Sequence, residues 1–400
     1  MSYSLETINQ LDGIDWSFPS LANSGIHSFH WYPATYIAAI PGTLIPFFAK
    51  EGEVVLDPFC GSGTTGVEAI RLGRRFIGVD TNPVALLMTN AKLSFPDPGQ
   101  LRKVIDDVIR RAESLFGMAE VPEHPRAAEL LDWYHPETMN TLNRLLASIM
   151  EVKSDLFREA LLSVYSGVLK NCSSQGKHWG WVCDNVKPKA SEIVFKDAIS
   201  AFAGAANDYL KFSKSSFDSV KVHDSGVKRA DVRGRYSLFH GSCVDELRRL
   251  SPGAVDFIMT SPPYYGVADY VKSQRLTYLW FDVDELAEKN LGFRSFEALR
   301  KNEAGARSNR FRKNSHSLYM DFMRAFFAQC YRVLKNNGYM ALVVGESQAR
   351  EATTEILIDS AIEEGFSLSC RAERDIKQSR RRLMAKVKGE DILILQRIEK

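Results

Sequence analysis

Apolar positions along this chain follow two rhythms, and the switch between them divides it into three stretches. In the first stretch, short apolar runs end in acids. Glu53-Val54-Val55-Leu56-Asp57 reads as a buried strand, and a glycine-rich turn follows at Cys60-Gly61-Ser62-Gly63-Thr64-Thr65. A helix-like run then reaches Leu72 and stops at Gly73. Phe76-Ile77-Gly78-Val79-Asp80 is a second strand with an acid at its tip. Asn82 and Pro83 read as the cap and first turn of another helix, because an Asn side chain accepts free first-turn amides and proline's fixed φ suits that position. Strand, helix, strand, helix at this spacing predicts parallel strands covered by helices.

Between residues 96 and 234 the period lengthens. Leu142, Leu145, Leu146 and Ile149 recur at helical spacing, as do Leu161, Leu162 and Val164, with few strand signals among them. Strand and helix alternate again later. Tyr236 to Phe239 and Ala254 to Thr260 read as strands, Leu318 to Leu334 as a helix, Gly338 to Val344 as a strand and Thr353 to Glu364 as a helix. Phe366 to Cys370 and Asp391 to Gln396 pair as a final hairpin. The expectation is an α/β protein with one doubly wound, Rossmann-like sheet, a terminal antiparallel hairpin and a largely helical insertion. Residues 1–95 form one half of the sheet domain, 96–234 the insertion and 235–400 the other half.

Composition changes this picture little. Hydrophobic residues at 45% and charged residues at 25% describe an ordinary globular chain. The N-terminus lacks the basic-then-apolar pattern of a signal peptide, and the apolar stretch Tyr36 to Ala49 is broken by Pro41, Gly42 and Pro46. A cytoplasmic protein with no membrane span is expected. The six cysteines have neither C-x-x-C spacing nor a nearby histidine at zinc-ligand spacing, so reduced thiols and no metal are expected. Net charge is only +2, but 300–313 and 371–388 are locally basic, the first holding a single acid, Glu303. Two basic blocks on a balanced background suggest a face for a polyanion.

Two motifs carry candidate chemistry. In Asp57-Pro58-Phe59-Cys60-Gly61-Ser62-Gly63-Thr64-Thr65, glycines at a strand tip let the backbone approach a ligand closely. The run lacks the third glycine of a dinucleotide fingerprint and the Gly-Lys-Ser/Thr of a phosphate loop. Asp80, at the next tip, is placed to accept both ribose hydroxyls of an adenosine ligand. The second motif, Thr260-Ser261-Pro262-Pro263-Tyr264, ends an apolar strand. Its prolines cannot continue a ladder, withhold amide hydrogens and leave carbonyl acceptors beside the Ser261 hydroxyl and the Tyr264 ring.

Together these motifs resemble the amino-group DNA methyltransferases, which act on cytosine N4 or adenine N6. Asp57 to Thr65 is similar to their cofactor motif and Ser261 to Tyr264 to their catalytic motif. His30-Trp31-Tyr32-Pro33-Ala34-Thr35-Tyr36 is similar to their additional cofactor segment. The resemblance covers roughly residues 26–95 and 235–398. It implies S-adenosyl-L-methionine as cofactor, held by His30, Pro33, Tyr36, Asp57, Phe59, Gly61, Ser62, Gly63, Thr64, Thr65, Asp80 and Asn82. It also implies Ser261, Pro262, Pro263 and Tyr264 as the catalytic set, with Tyr264 stacking on a base flipped out of duplex DNA. Serine before Pro-Pro-Tyr is typical of cytosine-N4 members, and adenine N6 is the alternative. The chain has no Pro-Cys dipeptide, which argues against C5 chemistry. It departs from the family at Gly241-Ser242-Cys243, where Gly-Asp-Ser is common.

The motif order, cofactor then insertion then catalytic, makes 96–234 the candidate recognition region, with a merely supporting helical cap as the counter-reading. Residues expected on DNA are Lys177, Trp179 and Lys187 in the insertion, Arg275 after the catalytic motif, Arg307, Arg310, Arg312 and Lys313 in a 300–313 loop that orders on DNA, and Arg380, Arg381 and Arg382 in the last hairpin. The expected partners are double-stranded DNA and a restriction endonuclease of the same site. An RNA amino-methyltransferase and a catalytically silent DNA-binding subunit are the alternatives.

Overall fold

The computed structural model describes residues 10–11, 13–19, 21–115, 123–175, 187–282, 296–347, 353–374 and 387–399. Its strands are β1 (Val54–Asp57), β2 (Arg75–Asp80), β3 (Tyr236–His240), β4 (Val255–Thr260), β5 (Leu334–Ser347), β6 (Phe366–Arg374) and β7 (Val387–Arg397). They form one seven-stranded sheet in the order β3-β2-β1-β4-β5-β7-β6. β1 to β5 run parallel, and β7 lies antiparallel between β5 and β6. Val55, Leu56, Phe257 and Ile258 are wholly buried, as expected of central parallel strands covered on both faces. The chain winds outward from β1 through β2 to β3, then returns to the far side of β1 with β4. Such a reversal opens a crevice at the carboxyl ends of the two central strands.

Helices α1 (Ala39–Phe48), α2 (Thr64–Arg71) and α3 (Pro83–Leu93) accompany the first strands. Asn82 caps α3 as its sequence predicts, its Oδ1 accepting from the Val84 and Ala85 amides at 3.0 and 3.3 Å with Pro83 in the first turn. The helical stretch contains α4 (Pro98–Ser114), α5 (Pro136–Met150), α6 (Asp155–Cys172) and α7 (Ala198–Val220). Its periodic residues Leu142, Leu145, Ile149, Leu161, Leu162 and Val164 are buried in the same apolar cluster as Val55 and Phe257 of the sheet. Tyr209 of α7 donates to the Ala91 carbonyl of α3 at 2.7 Å. The 96–234 stretch therefore packs onto one face of the sheet, while β3, beyond it, pairs with β2 from Phe76↔Tyr236 to Asp80↔His240.

The later helices are α8 (Cys243–Arg248), α9 (Arg275–Phe281), α10 (Phe296–Lys301), α11 (Ser315–Val333) and α12 (Thr353–Glu363). After Ser261 to Tyr264, a short 3-10 turn at Lys272–Gln274 leads into α9. Burial of Leu276 to Phe281 sets its position, while the Val271 amide is drawn to Glu303 and Asp269 accepts from the Ser308 amide. One expectation needs correction: the basic stretch 300–313 is not a free loop. It contains the end of α10 and a 3-10 turn at Arg307–Asn309, and it is bonded along its length to residues 265–271. The five described cysteines are buried and free, and no described helix is long and apolar enough to cross a membrane. Cys183 lies outside the described residues.

Candidate active site

The two motif-bearing strand tips meet directly. Asp57 Oδ1 accepts from Thr260 Oγ1 at 2.5 Å and from the Phe59 amide at 3.1 Å. Its Oδ2 accepts from Thr65 Oγ1 at 2.6 Å and from the Tyr36 hydroxyl at 3.3 Å. Burial pushes this carboxyl up to about 6, while its hydroxyl and amide donors pull it back down. Asp57 is thus an internal clamp. It holds the glycine turn after β1 against the serine-proline turn after β4 and does not line the cavity between them.

That cavity has a volume of about 780 Å³. Gly61, Ser62 and Thr64 of the first motif line it together with Ser261 and Pro263 of the second. Asp80 lies between them, with Oδ2 accepting from the Gly61 amide and Oδ1 from the Asn82 amide, each at 2.8 Å. Asp80 lines the cavity, and enclosure raises its carboxyl to about 6 while the backbone amides around it pull it back down. Gly61 has φ of +48°, and a Cβ there would sit 3.2 Å from the Tyr32 ring, so glycine keeps this backbone bare beside an aromatic wall. Asn82 donates to the Tyr32 hydroxyl at 3.3 Å and accepts from Tyr278 at 2.6 Å, which fixes that wall. Beneath the turn, buried Lys92 donates to the Ser62 carbonyl at 2.7 Å, and burial lowers its ammonium to about 7.

On the catalytic side Ser261 Oγ donates to the Tyr264 hydroxyl at 3.2 Å. Tyr264 in turn shares its proton between the Val343 carbonyl and Glu390 Oε1, both at 3.4 Å, and Glu390 pairs with buried Arg374. With its proton directed to Tyr264, the Ser261 oxygen, which lines the cavity, keeps the capacity to accept a hydrogen bond. Tyr264 is 6% exposed, and its ring fills the space left by Gly345, where a Cβ would come within 2.4 Å. Pro262 is also buried. Tyr32, Phe59, Tyr270 and Phe322, not Tyr264, bring aromatic rings to the cavity wall.

Of the residues expected to hold a cofactor, Pro33, Tyr36, Phe59, Gly61, Ser62, Thr64, Asp80 and Asn82 line the cavity, while His30, Asp57, Gly63 and Thr65 stand behind it. His30 is a strut, with Nε2 2.6 Å from Ser166 Oγ on α6 and Nδ1 2.8 Å from the Trp31 carbonyl; burial lowers its pKa to about 4. Gly63 has φ of +81° and caps α2 against Thr89. Among residues expected on DNA, Lys187 is paired with Asp132, and Arg275 with Glu129 at 2.5 Å. Lys177, Trp179, Arg380, Arg381 and Arg382 lie outside the described residues. Arg307, Arg310, Arg312 and Lys313 do not line the cavity; they follow in sequence the 298–304 segment, which does.

That segment contributes residues not singled out from the motifs: Ala298, Leu299, Asn302, Glu303 and Ala304. Glu303 accepts from the Val271 amide at 2.9 Å, and burial raises its carboxyl to about 7. Its one sequence signal was being the sole acid of a basic block. Asp245, on the first turn of α8, also lines the cavity and puts a carboxylate near the Gly241-Ser242-Cys243 turn that lacks one. Among the described residues no group of three or more His, Cys, Asp or Glu side chains is placed to hold a metal. A bare glycine backbone, aromatic walls and a carboxylate on the cavity wall suit an adenosine-containing ligand such as S-adenosylmethionine.

The protein family described as DNA methylase matches residues 8–90 and 255–400, more than half of the chain. The match leaves out 91–254, which contains the helical stretch. Among curated proteins, Type II methyltransferase M.MvaI of Kocuria varians is 27% identical over 272 residues, 64% of this chain and 58% of its own length. M.AvaI of Nostoc sp. is 24% identical over 391 residues, 84% of this chain and 78% of its own. The chain therefore spans little more than half of M.MvaI. Among solved structures, the rRNA methyltransferase aviRa from Streptomyces viridochromogenes matches 94% of this chain and 92% of its own, at 10% identity and a TM-score of 0.36.

Proposed function

Because the chain belongs to the DNA methylase family, we propose that it methylates an exocyclic amino nitrogen in duplex DNA, the N4 amine of cytosine. S-adenosylmethionine, when bound, supplies an electrophilic methyl group on a sulfonium. The observation that carries the reading is the single cavity into which Gly61, Asp80 and Ser261 all open, with Asp57 and Thr260 bonded beneath it. Asp80 is the acceptor for ribose hydroxyls, Gly61 and Ser62 the bare backbone, and Tyr32 and Phe59 the apolar walls.

The chemistry asked of the protein is positional and electrostatic. An exocyclic amine has its lone pair delocalised into the ring. Ser261 Oγ, its own proton donated to Tyr264, accepts one amine hydrogen, and the carbonyls of the proline turn are the further acceptors. Holding both hydrogens pulls the nitrogen toward a tetrahedral shape and frees its lone pair. The nitrogen would then bond to the methyl carbon as the carbon–sulfur bond breaks with its electron pair left on the sulfur, and would lose its surplus proton to water. A neutral hydroxyl at position 261, in place of a carboxylate or amide, supports cytosine N4, following the family tendency. A base inside a duplex is out of reach, so the target leaves the stack. The Type II names of the relatives support a role as the modification partner of an endonuclease acting on the same site.

Digestion of DNA treated with the enzyme, followed by mass spectrometry of the nucleosides, tests the reading. N4-methylcytosine is expected; N6-methyladenine would move the target to adenine, and neither product would remove DNA as the substrate. Ser261→Ala is expected to lower turnover on the order of 10²–10³-fold, the usual cost of one lost charge-stabilising contact, while calorimetry still detects cofactor binding.

A further inference from the structure

Phe311 is the most exposed large apolar side chain among the described residues, at 85%, and Leu318, one helical stretch further on, is 66% exposed. An open phenyl ring has lost favourable burial unless something covers it. The surroundings of this one indicate what does. Arg310, Arg312 and Lys313 flank it in sequence, and the Arg310 guanidinium lies 4.3 Å over its ring. The covering surface must therefore be both polyanionic and able to accept a flat apolar group. Stacked bases between two phosphate backbones meet both demands.

Its position adds a second argument. Phe311 sits on a turn anchored to the residues just after the catalytic motif. The Tyr265 hydroxyl is 3.2 Å from the Arg310 carbonyl and 2.7 Å from Ser315 Oγ. The Gly266 amide donates to the Gly305 carbonyl at 2.8 Å, and the Arg307 amide to the Ala268 carbonyl at 3.0 Å. Arg310 packs against Gly266, where a Cβ would lie 3.5 Å from its side chain. Asn314, with φ of +63°, ends the turn in the left-handed region where helix α11 begins. The same segment lines the cavity through Asn302 and Glu303. One face of it thus meets the cavity, and its tip carries an exposed ring among cations.

We propose that Phe311 is a wedge that enters the DNA stack beside the target base and occupies the gap left when that base swings into the cavity. Apolar side chains inserted between base steps hold a duplex in an unstacked state that it otherwise resists. Arg312 and Lys313 meet the backbone on either side. The inference rests on the DNA-methylating reading above and adds the element that stabilises the open duplex.

The test uses the full chain and a duplex that it methylates, in two forms: the target normally paired, and the target opposite an abasic site, where opening costs less. Phe311→Ala is expected to lower kcat/KM on the paired form by about 10- to 100-fold while staying within about 3-fold of wild type on the unpaired form. Phe311→Leu, which keeps an apolar wedge, restores most of the loss. Emission of 2-aminopurine at the target, which rises when the base leaves the stack, falls for the Ala variant, although duplex affinity by anisotropy stays within about 3-fold. Equal activity of the Ala variant and wild type on the paired form, or equal losses on both forms, would overturn the wedge and leave the methylation reading standing. A wild-type chain that methylates neither form overturns the reading and the wedge with it.

Discussion

The floor and the rim of the cavity are built on opposite principles. On the floor, the key polar groups of the strand tips are partnered inside the protein: Asp57 with Thr260, Thr65, Tyr36 and Phe59, and Ser261 with Tyr264 and, beyond it, Glu390 and Arg374. At the rim, Arg312, Lys313 and Phe311 face outward, and internal bonds hold chiefly the backbone between 303 and 315. On the proposed function, the difference separates two tasks. Chemistry needs acceptors fixed before the substrate arrives, and only a satisfied, buried network is rigid enough for that. Recognition of a polyanion needs charge left available for phosphate.

Substitutions that respect or cross this division sharpen it. The largest effect is expected from Asp57→Ala. It strips an acceptor from three hydroxyls and an amide, so denaturant unfolding should show a loss of about 3 kcal/mol, the cost of leaving such buried donors unpaired, together with loss of turnover. Stability and activity both at wild-type level would show that the strand tips do not need the clamp.

Asp80→Asn comes next. It stands between floor and cavity, so its effect should fall on cofactor affinity, weakened by about 10- to 30-fold in calorimetry, the scale of a lost hydrogen bond to a charged acceptor. The sign of its pH dependence follows from its raised pKa. The carboxyl near 6 is charged and accepting above that pH and takes a proton below it. Wild-type affinity should therefore fall as pH drops through 6, and the Asn variant should lose that step. A step of unchanged size in the variant would assign the titration to another group.

The smallest effect is expected at the rim. Arg312→Ala should leave stability and cofactor affinity unchanged, lower DNA affinity by about 3-fold and reduce the slope of log affinity against log salt by about 1, as for one lost phosphate contact. A loss of stability there would mean that the rim, too, is structural.

The parts of the site legible in the sequence are those where side-chain type and local backbone say the same thing. Gly61 needs a positive φ and a bare face, Asn82 and Pro83 together start a helix, and Ser-Pro-Pro ends a strand; each follows from neighbours a few residues away. Other roles depended on which segments fold over which. His30 and Thr65 lie inside cofactor-like motifs but serve as supports, because α6 and the tip of β1 claim their polar atoms. The ring of Tyr264 turns inward because Gly345, on a strand some eighty residues away, leaves it room. Glu303 and Tyr270 join the wall only because the 296–304 segment folds back over the catalytic turn.

By itself, then, the sequence determined the α/β alternation, the two strand-tip motifs and the chemistry they share, since apolar period and turn residues act over short range. Only the tertiary structure decided which residues of those motifs meet the cavity, which are spent holding them, and which distant segment closes the rim. Those outcomes depend on hydrogen bonds and packing between residues far apart in the chain, and no local pattern encodes such pairings.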